Sequence, residues 1–242
     1  MNLRTALASS VLACVSLPAF ASTYNNFILV GNQSGKPVGK ASYSIQQSKK
    51  GYKFQGHFQY SISSSQTGQY DISYKLDNTG NFLSANIQDQ IAQKTYNFEP
   101  NKQRTSIEVS TIQGGSLGNP TTANLPQPDF LMVSIGDPSA IQALMDFVKA
   151  NPKPQPIYLL LIPMSTINPQ NRYRLVSVQP DADRSGTLDG KTIALKSFAM
   201  RFHTGQAGEI YLDGSGNLME ADIPKFELNY IRKNFTLTPP AQ

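Results

Sequence analysis

Ten residues from Asp181 to Gly190, DADRSGTLDG, set oxygen-bearing side chains at the spacing of a calcium loop. Asp181, Asp183 and Ser185 stand at ligand positions, Gly186 at the turn and Leu188 behind them. Such a site needs a helix on each side and a bidentate acid at the twelfth position. Here the flanks RYRLVSV and KTIALKSF alternate as strands do, the twelfth residue is Thr192, and Arg184 puts a positive charge inside the loop. The stretch is therefore expected to be a hairpin loop, where Asp, Ser and Gly serve tight backbone geometry. LDGSGN at Leu212–Asn217 repeats the texture. No metal and no cofactor are expected.

Acid–base chemistry has few candidates. Glu209, Asp213, Glu220 and Asp222 gather within two strand-like segments, where a carboxylate pair could serve a hydrolase. Across a hairpin the same acids read as surface charges. His57 and His203 are the two imidazoles of the chain. His57 alternates with Lys53 and Gln59 on the polar side of its segment and reads as a solvated residue. His203, between Phe202 and TGQAG, reads as a turn flank. No G-x-S-x-G elbow, H-E-x-x-H pair or phosphate-cradling glycine loop is present. No catalytic residue is assigned, and the expectation is a protein that holds rather than reacts.

The elements that would position a site are dominated by a period of two. Tyr52, Phe54, Gly56, Phe58, Tyr60 and Ile62 alternate with Lys53, Gln55, His57, Gln59 and Ser61. Tyr70, Ile72, Tyr74 and Leu76 repeat the rhythm, and Ala41, Tyr43 and Ile45 begin it. One face buried and one wet is the mark of an antiparallel sheet. KKG, SSQTG and DNTGN supply the turns. The segment 114–129, with three prolines and three glycines, is expected to be a long loop.

DPSAIQALMDFVKAN is the convincing helix: Asp137 can cap it and Pro138 suits its first position. Ile141, Leu144, Met145 and Val148 lie on one side, and Gln142, Asp146 and Lys149 on the other. IYLLLI (Ile157–Ile162) reads as a strand buried on both faces. Further strands are expected at 172–178, 192–202, 209–212, 218–223 and 226–231. The apolar phase shifts between Leu195 and Phe198, which predicts a bulge. The fold class is mainly β: one large curved antiparallel sheet, a half-barrel or open barrel, covered by one amphipathic helix. The aromatics Phe54, Phe58, Tyr60, Tyr70 and Tyr74, with Phe198, Met200 and Phe202, would line its concave face as ligand-binding residues.

The first residues, MNLRTALASSVLACVSLPAFA, have the Arg4 n-region, apolar stretch and small-x-small end of a secretory signal. Residues 1–21 are expected to be removed near Ala21, leaving 22–242 as one curved-sheet domain, periplasmic or secreted from a bacterium. Lipidation at Cys14 after VLAC is the alternative. Cys14 is the single cysteine, so cleavage after Ala21 leaves no thiol for disulfides, nucleophiles or thiolate metal sites. The net charge of +5, about +4 without Arg4, is spread thinly and argues against nucleic acid. No apolar run after the signal reaches membrane-spanning length.

The stretches GKPVGKASYSIQQSKKGYKFQGHFQYSI and YDISYKLDNTGNFLSANI resemble the opening strands of bacterial periplasmic proteins built on one strongly curved antiparallel sheet. LDGKTIALKSFAMRFHTGQAGEIYLDGSGNLMEADIPKFELNYIR is similar to their closing strands. That group includes uncharacterised exported proteins and resembles the LolA/LolB-type lipoprotein carriers in architecture. The resemblance implies an apolar concavity covered by helix and a lipid or other amphiphile as partner. It carries over no catalytic set. Two non-enzymatic roles follow: a carrier for an apolar or amphiphilic ligand, or a structural adaptor gripping an envelope protein through a sheet edge or the 114–129 segment. A hydrolase using the acids near 209–222 is the third.

Overall fold

The computed structural model describes residues 25–239 other than 33, 64–65, 126–130, 135–136, 152–156, 163–172 and 227. The expected signal segment 1–21, with Cys14 and the cleavage point near Ala21, lies outside them.

The alternating rows fold as an antiparallel meander. It comprises β1 (Asn25–Gly31), β2 (Pro37–Ser48), β3 (Gly51–Ser63), β4 (Gln66–Leu76), β5 (Phe82–Asp89), β6 (Lys94–Pro100) and β7 (Ser106–Gln113). The register sets Ala41, Phe58 and Tyr70 in one row and Ile45, Phe54, Tyr74 and Ala85 in another. A slip of one residue would turn both rows to water, so burial fixes the pairing. Ring stacking reinforces it: Phe54 lies 5.1 Å from Tyr74, Phe58 5.1 Å from Tyr70, and Phe27 5.6 Å from Tyr43.

The segment read as a long loop carries sheet instead over much of its length. After a turn at Gly114 and Gly115, both at positive φ, β8 (Ser116–Leu117) and β9 (Thr121–Asn124) pair back onto β7. Two and four residues are too few to show a period in sequence; β7 supplies the template. Residues 126–129 lie outside the described set.

The second half comprises β10 (Leu131–Ser134), α1 (Pro138–Ala150), β11 (Ile157–Ile162), β12 (Tyr173–Pro180), β13 (Arg184–Leu188), β14 (Lys191–Phe202), β15 (Ala207–Asp213), β16 (Leu218–Ile223), β17 (Leu228–Arg232) and β18 (Phe235–Leu237). β1 joins the halves, pairing with β2 on one edge and β17 on the other. From β17 the sheet runs through β16 and β15 to β14, whose far edge has two partners. Residues 198–202 pair with β12 and 191–195 with β13. β12 continues to β11, and β11 lies parallel to β10, with α1 as the crossover a parallel pair requires. The remaining pairs are antiparallel, so the molecule is one large, mainly antiparallel, unclosed sheet with a single described α-helix.

β13 also bonds to β18, which a turn at Lys233 and Asn234 ties back to β17. The strands from β17 round to β18 therefore wrap a second, small core of Leu195, Tyr211, Met219 and Phe235 on the face away from α1. This corrects the expected bulge. β14 keeps unbroken register with β15 from Leu195 to Arg201. Its odd residues Leu195 and Ser197 are buried on the small-core side, and its even residues Met200 and Phe202 enter the main core under α1. The phase shift marks a strand passing between two cores.

Candidate functional site

The helix begins where sequence places it. Asp137 caps it, accepting from the Ser139 N–H at 3.0 Å, and Pro138 fills the first turn. This end is entirely buried. The Ser139 hydroxyl donates to the Asp137 carboxylate at 2.7 Å and meets the Tyr74 hydroxyl at 3.0 Å. Burial pushes the Asp137 carboxyl up to about 6 against the opposing hydrogen bonds from Ser139, and lifts the Tyr74 and Tyr43 phenols well above their ordinary value.

Gln142, expected on the polar side of the helix, is 4% exposed. Its Nε2 donates to Asp146 Oδ1 (2.9 Å) and the Gly216 carbonyl (3.0 Å). Its Oε1 accepts from the Tyr43 hydroxyl (3.1 Å) and the Leu218 N–H (2.8 Å). A saturated carboxamide replaces what would be water on a surface helix. The reason is a wall on that side made by the β15–β16 turn.

That turn has a twin. DNTGN (Asp77–Asn81) and DGSGN (Asp213–Asn217) fold alike, each aspartate Oδ1 accepting from the N–H groups two and four residues on. In each, the fourth residue is a glycine at positive φ, 89° for Gly80 and 88° for Gly216. Gly80 abuts Phe147, where an added Cβ would come within 2.8 Å of the ring, and Gly216 lies against Gln142 and Lys149. The two turns flank α1.

From Pro138 to Met145 every helix residue is buried, whereas Asp146–Val148 are half-buried and Lys149 and Ala150 exposed. The C-terminal half thus leaves a cleft of about 300 Å³ between itself and β11, β12, β14 and β15. Met145, Val148, Ile157, Val178, Phe198 and Leu212 give it an apolar lining, and Lys149, Lys196 and Asp213 also border it. Lys196 shares the inward register of Phe198 and Met200 yet stays exposed, which puts a cation on the cleft side of the sheet.

Of the eight aromatic and methionine positions read as ligand-binding, Phe54, Phe58, Tyr60, Tyr70, Tyr74, Met200 and Phe202 are buried in the main core, and Phe198 borders the cleft. The concave face is filled over the first seven: Phe54 stacks on Tyr74, Phe58 and Tyr60 stack on Tyr70, and all seven share one core with Ile141, Leu144 and Met145 of α1. Sequence reasoning missed Lys149, Val178 and Lys196. A lysine in the even row ahead of Phe198, Met200 and Phe202 was the available signal.

Asp181–Gly190 is not a calcium loop. Ser185, Gly186 and Leu188 lie in β13, and Asp189–Gly190, both at positive φ, make the two-residue turn into β14. Three of the four acids do meet on the outer face. Glu209 stands opposite Asp222, the Tyr211 hydroxyl donates to Glu209, and Asn229 Nδ2 donates to Glu220 at 3.3 Å. Burial pushes the Glu220 and Asp222 carboxyls up, helped by their acidic neighbours. Glu209 and Asp222 are open to solvent, which leaves unenclosed the side where a substrate would sit. Asp213 belongs to its turn. His203 is exposed in a turn, whereas His57 is not merely solvated: its Nδ1 lies 2.6 Å from Asp71 Oδ1.

No helix of the described residues is long and apolar enough to cross a membrane. No family model and no curated protein matches the chain. Among solved structures, the chain is similar to a β-barrel-like protein of a domain of unknown function, DUF1849, from Brucella abortus. The TM-score is 0.52 and the identity 11%, over 90% of this chain and 98% of that one. A DUF1089 family protein from Pseudomonas aeruginosa matches at TM-score 0.48 and 12% identity, over 77% and 90% of the respective chains. The Brucella likeness supports the curved, barrel-like sheet and does not single out the LolA/LolB-type architecture.

Proposed function

We propose that this chain is an exported, non-enzymatic binding protein of the bacterial cell envelope that holds an amphiphile in the cleft beside the C-terminal half of α1. An acyl or alkyl chain lies among Met145, Val148, Ile157, Val178, Phe198 and Leu212, and an anionic head meets Lys149 and Lys196. The observation that carries the reading is an apolar cleft bordered by two ammonium groups. Each buried methylene contributes about 0.8 kcal/mol, so a series of n-alkyl carboxylates should gain about fourfold in affinity per carbon until the cleft is full. Displacement of a fluorescent fatty acid reads this directly. Val178→Phe, which fills the cleft with a ring, abolishes the gain while the fold persists. Affinity indifferent to chain length would overturn the reading.

The adaptor reading draws on another place. Ile112 and Leu117 face each other across β7 and β8 and are 37% and 70% exposed. If this edge grips an envelope protein, pull-down from envelope extracts recovers a stoichiometric partner that Leu117→Asp loses.

A further inference from the structure

On the sheet face away from α1, four adjacent strands set polar residues in register. Asn26 of β1 stands opposite Ser42 of β2, Ser42 opposite His57 of β3, and His57 opposite Asp71 of β4. In the next row Lys40 stands opposite Gln59. The Lys233 N–H donates to the Asn26 carbonyl at 2.8 Å, which fixes the turn into β18 beside β1. Asn26, Lys40, Ser42, His57, Gln59 and Lys233 thereby border a concavity of about 560 Å³.

Its chemistry has one sign. Among the described residues the ion pair is His57 with Asp71, and the Lys40 and Lys233 ammonium groups have no carboxylate partner. Asp71 takes His57 Nδ1 at 2.6 Å, and its second oxygen accepts from Gln90 Nε2. The imidazole is thus anchored from behind, and Nε2 is left for the concavity. Ser42, Asn26 and Gln59 add a hydroxyl and two carboxamides able to donate.

We propose that this concavity binds a phosphate or phosphomonoester dianion. Two point charges match its charge, several neutral donors match its multiple oxygens, and the volume leaves room for the body of an ester. His57, held at Nδ1 by Asp71, stands on the wall of the concavity with the two lysines. The charged groups facing that ring are Asp71 from β4, Lys40 from β2 and Lys233 from the turn; β1 contributes the neutral Asn26. The site lies across the sheet from the cleft and is independent of it.

The test is a titration of the full chain at fixed pH, with inorganic phosphate and with dihexanoyl phosphatidate, followed by the His57 Cε1–H resonance. Chloride at matched ionic strength is the control. A saturable change in the His57 Cε1–H resonance is expected with the phosphates and not with chloride. The paired Lys40→Met and Lys233→Met change weakens binding about tenfold or more, as loss of charge-assisted hydrogen bonds requires. Lys191→Met, on the distant β13–β14 turn, and Val178→Phe leave it unchanged. Equal affinity for the two probes means the site reads the phosphate alone, and tighter binding of phosphatidate means it reads a lipid head. A shift reproduced by chloride overturns the proposal. So does binding that survives both lysine changes in a protein whose spectrum shows it folded.

Discussion

Asp137 sets two physical effects against each other at one atom. The N-terminus of α1 and the Ser139 N–H favour its charge, while complete burial opposes it, and burial prevails, placing the carboxyl at about 6 against 3.8 in water. A carboxyl whose pKa rises on folding binds protons as the chain folds. Its stabilising contribution is complete below about pH 4 and is lost as pH rises through about 6. About two pKa units correspond to about 3 kcal/mol. Asp137→Asn cannot ionise, and its Oδ1 can still accept from Ser139. Between about pH 4 and pH 7 the wild type should therefore lose about 3 kcal/mol relative to the variant, or about 6–12 °C in Tm for a chain of this size. Asp146, Glu220 and Asp222 are also raised, in both proteins alike, and cancel in the difference. Paired thermal or urea melts across that range measure it. A flat difference would refute the burial argument. A difference of opposite sign would show that the helix end holds the charge more strongly than burial expels it.

Gln142→Leu should cost about 3 kcal/mol or more, because it orphans the buried Tyr43 hydroxyl and Leu218 N–H together; urea midpoints check this, and a cost under about 1 kcal/mol refutes it. Glu220→Gln keeps an oxygen for Asn229 and removes a charge that burial, Asp222 and Glu209 disfavour. The raised carboxyl stabilises the fold in acid and loses that contribution as pH rises, so the variant should melt above wild type near neutral pH and level with it in acid.

The sheet was legible because sustained alternation has one cheap solution, a half-buried antiparallel strand: it runs from Tyr52 to Ile62 in β3 and recurs over Tyr70–Leu76 in β4 and Ala41–Ile45 in β2. Asp137 and Pro138 marked the helix start for the same local reason. What was not legible is long-range. The burial of Gln142 depends on a turn more than 70 residues away in sequence. The phase of β14 reads as a bulge until β18 is seen to enclose a second core around Leu195 and Tyr211. The ligand-binding reading of the concave aromatics needs an open concave face, and how far a helix fills that face is set by long-range packing. The core takes in seven of the eight positions, and Phe198 meets the cleft beside the C-terminal half of α1. His57 looked solvated because its partner Asp71 comes from the neighbouring strand, and register cannot be counted before the turn between them is placed.

The same clasp that fixes the helix leaves the cleft. Asp137, Ser139 and Gln142 tie the first two turns of α1 to β4, β2 and the DGSGN turn through buried hydrogen bonds whose loss is expensive. Beyond Met145 the contacts pass to Phe147 against Gly80 and to the stems of half-exposed side chains, which oppose little to local opening. A helix anchored at one end and lightly held at the other can admit a chain beside its free end without disturbing the core. Ligand binding there is expected to protect the amides of Phe147–Asn151 from hydrogen exchange and to leave those of Ile141–Met145 at the rate set by global unfolding. Equal protection along the whole helix would mean that α1 moves as one body and that the anchor does not divide it.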